Sequence, residues 1–313
     1  MAEVVVVGSF SLDLTARAQR MPLPGETVLG TAFQMVPGGK GNNQAVAAAR
    51  AGATTGVVGC LGRDPFGEQV RAFVLAEGIE VSHLSVLAEG ETGVAHITVD
   101  GAGQNAIVVV PRANWQLDRQ RVEAAGGLIR RARVLLAQLE VPLEAVQTAI
   151  QVARRAGVLT LLNPAPARPL PDDLLAEVDI CLPNEHEAGQ LTGRLVDSPS
   201  SALTAAQALV ARGCKAVVVT LGAAGAVYQD ATRRLFVPSL PVPVVDTVAA
   251  GDAFCGTLAA CLARGEELAG ALIRASAAGG LAVSRMGATS SLPTRAEVDL
   301  ALAAQPHLRV EPM

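Results

Sequence analysis

The sequence predicts an α/β protein: a doubly wound, mostly parallel sheet flanked by helices, with a small β-sheet lid. Three observations carry that expectation. Short β-branched runs alternate with longer stretches of helical spacing, the pattern of βαβ units. Half of the 313 residues are apolar and 17% are charged, which suits a sizeable core. Two segments interrupt the alternation with Pro, Gly and short apolar pieces, and these read as a separate small sheet.

The elements follow in order. Val4 to Val7, ended by Gly8, reads as a buried first strand. Similar short runs recur at 57–58, 134–139, 158–162, 180–182 and 216–221. Ala- and Arg-rich stretches at 43–51, 118–131, 143–156 and 201–212 have helical spacing between them. The interruptions are 15–37, with Pro22, Pro24 and Gly25, and 93–113, which reads as two strands around a turn at 100–105. Together they suggest a small antiparallel sheet placed as a lid over the carboxyl edge of the main one. No repeat, low-complexity tract or charged linker divides the chain, so residues 1–313 are expected to form one domain with a discontinuous lid.

Composition narrows the function. A net charge of −4 argues against a nucleic-acid surface, which needs clustered cations. No run reaches the roughly 18 apolar residues of a membrane span, and the acidic N-terminus is unlike a signal peptide, so a cytoplasmic location is expected. Five scattered cysteines without a C-x-x-C pair read as buried free thiols. The four histidines lack metal-ligand spacing. Lysine occurs only as Lys40 and Lys215, and Lys40 lies inside a glycine cluster.

Three glycine-rich segments invite a ligand. Gly101-Ala102-Gly103 lies before a strand rather than a helix, so it reads as a hairpin turn and not as a dinucleotide site. Gly38-Gly39-Lys40-Gly41 lacks the Ser or Thr of a P-loop. It enters a helix near Asn42 and Asn43, either as a plain Asn-capped start or as a turn that brings backbone and amides to a hydroxylated ligand. Asp246-Thr247-Val248-Ala249-Ala250-Gly251-Asp252 follows the strand-like LPVPVV and precedes an apolar helix. The amides of Ala249, Ala250 and Gly251 would then point out of a helix N-terminus, a natural phosphate site. Asp252 there is either a helix-stabilising acid or the carboxylate that accepts a proton during phosphoryl transfer.

PGGKGNNQA and DTVAAGD, with GSFSLDL, GCLGRDPFG, QLE, NPAPA, PNEHEA, TLGAAG and SRMGATSS in the expected order, resemble the ribokinase family of carbohydrate kinases over nearly the whole chain. The resemblance implies an ATP-dependent sugar kinase, most simply one that phosphorylates D-ribose at its 5-hydroxyl with Asp252 as general base. It implies sugar contacts from Ser11, Asp13, Gly39, Lys40, Asn43 and Glu140. Nucleotide contacts would come from Asn184, Thr220, Gly222, Gly225, Gly251 and Ser276. Asn184 and Glu187 would organise Mg²⁺ through water. Asp246, the carbonyls of Val248, Ala282, Arg285 and Gly287, and the Ser291 hydroxyl would hold K⁺.

The chain departs from that family's usual pattern at three positions. Ser11 and Ser276 stand where members often have Asn, and Arg112 where Gly often precedes Ala-Asn. Ser11 leaves the choice between ribose and 2-deoxyribose open, and other kinases of the same family act on fructose or a keto-deoxy acid. Scarce aromatics (Trp115, Tyr228 and six Phe) disfavour a nucleoside, and the presence of Asp252 disfavours a non-catalytic sugar sensor. The lid implies a homodimer.

Overall fold

A computed structural model describes residues 2–313. Strand β1 (Val4–Val7) is followed by β2 (Ser11–Ala18), β3 (Gly30–Gly38) and helix α1 (Lys40–Arg50). Next come β4 (Thr55–Gly62), α2 (Pro65–Ala76), β5 (Glu80–Leu87), β6 (Gly93–Val99) and β7 (Asn105–Val110). Helices α3 (Arg119–Ala124) and α4 (Gly126–Ile129) lead to β8 (Val134–Ala137), α5 (Leu143–Arg155) and β9 (Leu159–Leu162). After α6 (Asp172–Ala176) and β10 (Ile180–Cys181) the chain forms α7 (Glu185–Thr192), α8 (Pro199–Ala211) and β11 (Ala216–Thr220). Strands β12 (Ala226–Asp230) and β13 (Arg234–Val237), helices α9 (Ala250–Ala263), α10 (Leu268–Val283) and α11 (Arg295–Ala303), and β14 (Glu311–Pro312) complete it.

Ten strands form one sheet in the order β14-β13-β12-β11-β10-β9-β8-β1-β4-β5. Pairing is parallel from β5 to β11 and antiparallel beyond it. The strand β1 shows why a parallel sheet forms: Val4 and Val6 enter one apolar layer while Val5 and Val7 enter the other. A strand buried on both faces has no place for a polar residue. The chain leaves β1 toward β4 on one side and later returns to β8 on the other. This reversal opens a crevice at the carboxyl ends of β1 and β8.

The second sheet has the order β3-β2-β6-β7. It begins at Ser11 rather than Thr15, and it is mixed rather than antiparallel, because β2 and β6 run parallel. Three further expectations are corrected. The helical stretch at 118–131 is two helices, α3 and α4, parted at Ala125 beside Gly126 and Gly127; glycine costs about 1 kcal/mol relative to Ala inside a helix. Helix α1 starts at Lys40 with Gly39 as its cap, so Asn42 and Asn43 lie within the helix and cap nothing. The LPVPVV stretch, 240–245, is no strand. Pro241 and Pro243 have no N–H to give a ladder.

Candidate active site

Three chain segments meet at the crevice. Gly39 takes φ +90°, and a Cβ there would lie 2.8 Å from the Ser9 carbonyl oxygen; one on Gly41 would lie 2.6 Å from the Ser9 nitrogen. The glycines are thus needed so that the start of α1 can lie on the turn after β1. Glu140, just past β8, joins the two: it accepts from the Ser9 hydroxyl at 2.5 Å and from the Lys40 backbone N–H at 3.0 Å. The same turn is pinned by Asn114, whose side chain exchanges two 2.9 Å hydrogen bonds with the Phe10 backbone.

Asp252 enters from the first turn of α9 and is only 6% exposed. The turn before it is tight, and Ala249 sits there in the left-handed region at φ 60°, a costly conformation for a residue with a Cβ. Both carboxylate oxygens have donors from α1: Asn43 Nδ2 reaches Oδ2 at 3.0 Å and Gln44 Nε2 reaches Oδ1 at 2.9 Å. Burial pushes the Asp252 carboxyl above its ordinary range, opposed by the Lys40 charge and those two amides. Burial pulls the Lys40 ammonium down, but Asp252, Glu140 and Glu187 outweigh it and leave Lys40 raised, hence charged. Asp13 rises to about 7, chiefly through burial against the Ser11 hydroxyl bond, with the charges of Glu140 and Asp252 adding to the rise.

Three cavities adjoin along this line. The first, about 500 Å³, lies between the small sheet and the crevice and is lined by Ser11, Asp13, Gly39, Lys40, Asn43, Glu140 and Asp252. Every residue expected to touch sugar is on it. The second, about 460 Å³, is lined by Thr220, Gly222, Gly225, Gly251 and Ser276, the expected nucleotide residues apart from Asn184. The third, about 210 Å³, shares Lys40 and Asp252 with the first and Thr220 and Gly251 with the second, and adds Asn184 and Glu187. Ala249 borders the first and third cavities, and Ala250 the second. Asp252 thus stands on the wall common to the first and third.

Asn184 and Glu187 form a reciprocal cap at the start of α7, each bonding the other's backbone at 2.8–2.9 Å. Burial raises the Glu187 carboxyl. Asp246 accepts from the amides of Val248 and Gly287, both at 3.0 Å, and all three border the first cavity. Ala282 and Arg285 are joined by a backbone bond, and the buried Ser291 hydroxyl donates to the Ala288 carbonyl at 2.7 Å. Ala282, Arg285 and Ser291 line none of the three cavities. The Ser276 hydroxyl donates to the Pro238 carbonyl at 2.7 Å. Among the described residues no cluster of three His, Cys, Asp or Glu side chains could hold a metal alone.

Sequence reasoning missed Gln44, Gln138 and the side-chain role of Asn163, which connect to Asp252 through amide hydrogen bonds. The available signal was three consecutive amides, Asn42-Asn43-Gln44, in an otherwise Ala-rich helix.

A model described as pfkB family carbohydrate kinase matches residues 1–295. The chain is 38% identical to the ribokinase of Haemophilus influenzae over 294 residues, 94% of this chain and 96% of that protein. It is 40% identical over 297 residues to the bifunctional ribokinase/ribose-5-phosphate isomerase A of Fructilactobacillus sanfranciscensis, covering 94% of this chain but only 55% of the relative, so it spans about half that protein's length. The structure of Arabidopsis thaliana ribokinase complexed with ribose and ATP is similar with a TM-score of 0.89 and 31% identity, over 96% of this chain and 98% of that one.

Proposed function

The chain belongs to the pfkB family of carbohydrate kinases, and from that premise we propose that it transfers the γ-phosphoryl group of ATP to the 5-hydroxyl of D-ribose. The observation that carries this reading is the position of Asp252, on the wall shared by the cavity under the small sheet and the cavity beside Gly251 and Asn184. Ribose fills the first cavity, where Asp13, Asn43 and Glu140 take its hydroxyls. ATP lies along the second, with its phosphates in the third. As the 5-oxygen bonds to the γ-phosphorus, Asp252 accepts the hydroxyl proton and the bond to the bridging oxygen breaks, releasing ADP. Lys40 and the amides of Ala249, Ala250 and Gly251 stabilise the transferring group at the N-terminus of α9. The small sheet acts as a lid and keeps water from competing as acceptor.

The donor sets suit two cations. Asn184 and Glu187 would hold Mg²⁺ through its waters, since each Glu187 oxygen takes one hydrogen bond and keeps a free lone pair. Asp246 with the carbonyls of Val248 and Gly287 beside it, and by the family resemblance those of Ala282 and Arg285 with the Ser291 hydroxyl, would supply the all-oxygen set that K⁺ takes. When bound, these ions offset charge on the phosphates and on the loop beside them. We assign the reaction to the cytoplasm, where five free buried cysteines would stay reduced. No helix among the described residues is long and apolar enough to cross a membrane.

One observation favours a second acceptor, 2-deoxyribose: the Ser11 hydroxyl is already engaged with Asp13 Oδ1 at 3.3 Å, which weakens its hold on a further sugar hydroxyl. A coupled assay of ADP release with ribose, 2-deoxyribose, fructose and adenosine, with and without K⁺, tests both. Ribose-selective turnover that rises with K⁺ is expected. Activity confined to fructose or adenosine would remove the pentose assignment.

A further inference from the structure

The Asp252 carboxylate is held by an amide relay whose orientation is set by a distant backbone atom. The Leu182 carbonyl can only accept, and Asn163 Nδ2 donates to it at 2.8 Å. That contact turns Asn163 Oδ1 toward Gln44, whose Nε2 donates to it at 3.0 Å. The same Nε2 donates to Asp252 Oδ1 at 2.9 Å. On the other side of the Gln44 amide, Oε1 accepts from Gln138 Nε2 at 2.6 Å. Gln44 and Gln138 are wholly shielded from solvent. Were the Gln44 amide reversed, its oxygen would face two acceptors, Asn163 Oδ1 and Asp252 Oδ1; Gln138, whose own Oε1 has no partner, could turn to suit either orientation. In a buried site each such mismatch is expensive. Only one arrangement is therefore open, and it presents N–H to the carboxylate.

We infer that Gln44, oriented by Asn163 and supported by Gln138, is a positioning residue that fixes the plane of the Asp252 carboxylate for proton acceptance. This inference rests on the proposed role of Asp252 as base. Asn43 fixes the second oxygen at 3.0 Å from the adjacent position on α1, so two consecutive side chains set the rotation of the carboxylate. The orientation matters because the in-line acceptor hydroxyl must meet a lone pair aimed into the cavity. A merely space-filling amide could be replaced by an apolar side chain of similar size with little catalytic effect.

The charged and titratable groups facing Asp252 are Lys40 on α1, Glu140 after β8, Asp13 on β2, Glu187 on α7 and Cys255 on α9 itself. None is altered by a change at Gln44. Loss of the Gln44 donor would then act on Asp252 alone, disfavouring its ionised form.

The test uses full-length Gln44→Leu and Gln138→Met, with kcat and KM for ribose measured from pH 5 to 9. For Gln44→Leu the expected result is a fall in kcat of about tenfold to a hundredfold with KM within about threefold. The acid limb of kcat, measured at saturating ribose so that Asp13 and KM do not set it, should move to higher pH by about one unit. Gln138→Met leaves Asp252 untouched but removes the donor to Gln44 Oε1, which loosens the amide without reversing it, and should move the same limb in the same direction by less. It also serves if Gln44→Leu fails to fold. Should the acid limb stay in place in whichever of these variants folds and binds ribose, the inference is overturned. Full turnover in Asp252→Asn would instead defeat the base assignment, so the two failures are distinguishable.

Discussion

At the scale of single residues, the site works through groups whose charge is set by their surroundings. Asp13 is raised from 3.8 to about 7, chiefly by burial. A carboxyl raised by folding favours the folded state at low pH, and that contribution is lost as pH rises through about 7. The melting temperature of the ligand-free protein should therefore decline between about pH 4 and 7, and Asp13→Asn should flatten the decline. Ionised Asp13 accepts hydroxyls better than the acid does, so KM for ribose should fall as pH rises through 7, a dependence also lost in Asp13→Asn. Ala249 gives a second prediction. Its left-handed φ of 60° costs about 1 kcal/mol or more, and Gly adopts it freely. Ala249→Gly should raise the stability measured by urea unfolding by about 0.5–1 kcal/mol and leave kcat close to that of the parent. The run DTVAAGD alone leaves Asp252 open between a helix-stabilising acid and a proton acceptor, and the resemblance of the ordered motifs to the ribokinase family favours the second. Its amide partners were not legible: Gln138, Asn163 and Asp252 lie 94, 119 and 208 residues from Gln44, distances that no local pattern spans.

At the scale of elements, α1 and α9 must approach closely for those amides to reach the carboxylate. Gly256 permits it, since a Cβ there would lie 2.5 Å from both the Ala47 Cβ and the Gln44 carbonyl oxygen. Gly256→Ala should force the helices apart and destabilise the protein by about 1–3 kcal/mol. It should also lower kcat more than it raises KM, which steady-state kinetics on the folded variant would show. The parallel strands were readable because β-branched runs buried on both faces have few alternatives. Helix α1 was placed too late because Asn42 and Asn43 look like caps; Gly39 and Gly41 begin the helix earlier by letting it lie on Ser9. The 240–245 segment misled because its valines alternate with prolines, and Val244 and Val245 are exposed at 63% and 55%. The small sheet was expected from its broken rhythm, but the parallel pairing of β2 with β6 depends on a partner far along the chain.

At the scale of the whole molecule, the main sheet supplies a rigid floor, α9 carries Asp252, and the small sheet covers one end. Phe33 and Met35 on β3, with Val108 on β7, are exposed apolar side chains of that sheet, a surface that the homodimer expected from the sequence would cover. Light scattering at micromolar concentration should give twice the chain mass, and a monomer would count against it. The three adjoining cavities make one prediction above the others, because Asp252 alone joins acceptor and phosphate space with a carboxylate that both α1 amides orient. The most direct measurement compares Asp252→Asn with the parent by calorimetric titration of ribose and by ADP release under saturating ATP. Ribose affinity should stay within about threefold while kcat falls by roughly 10²–10⁴, the usual contribution of a general base. A folded Asp252→Asn enzyme that binds ribose and keeps kcat within a few-fold of the parent would contradict the assignment.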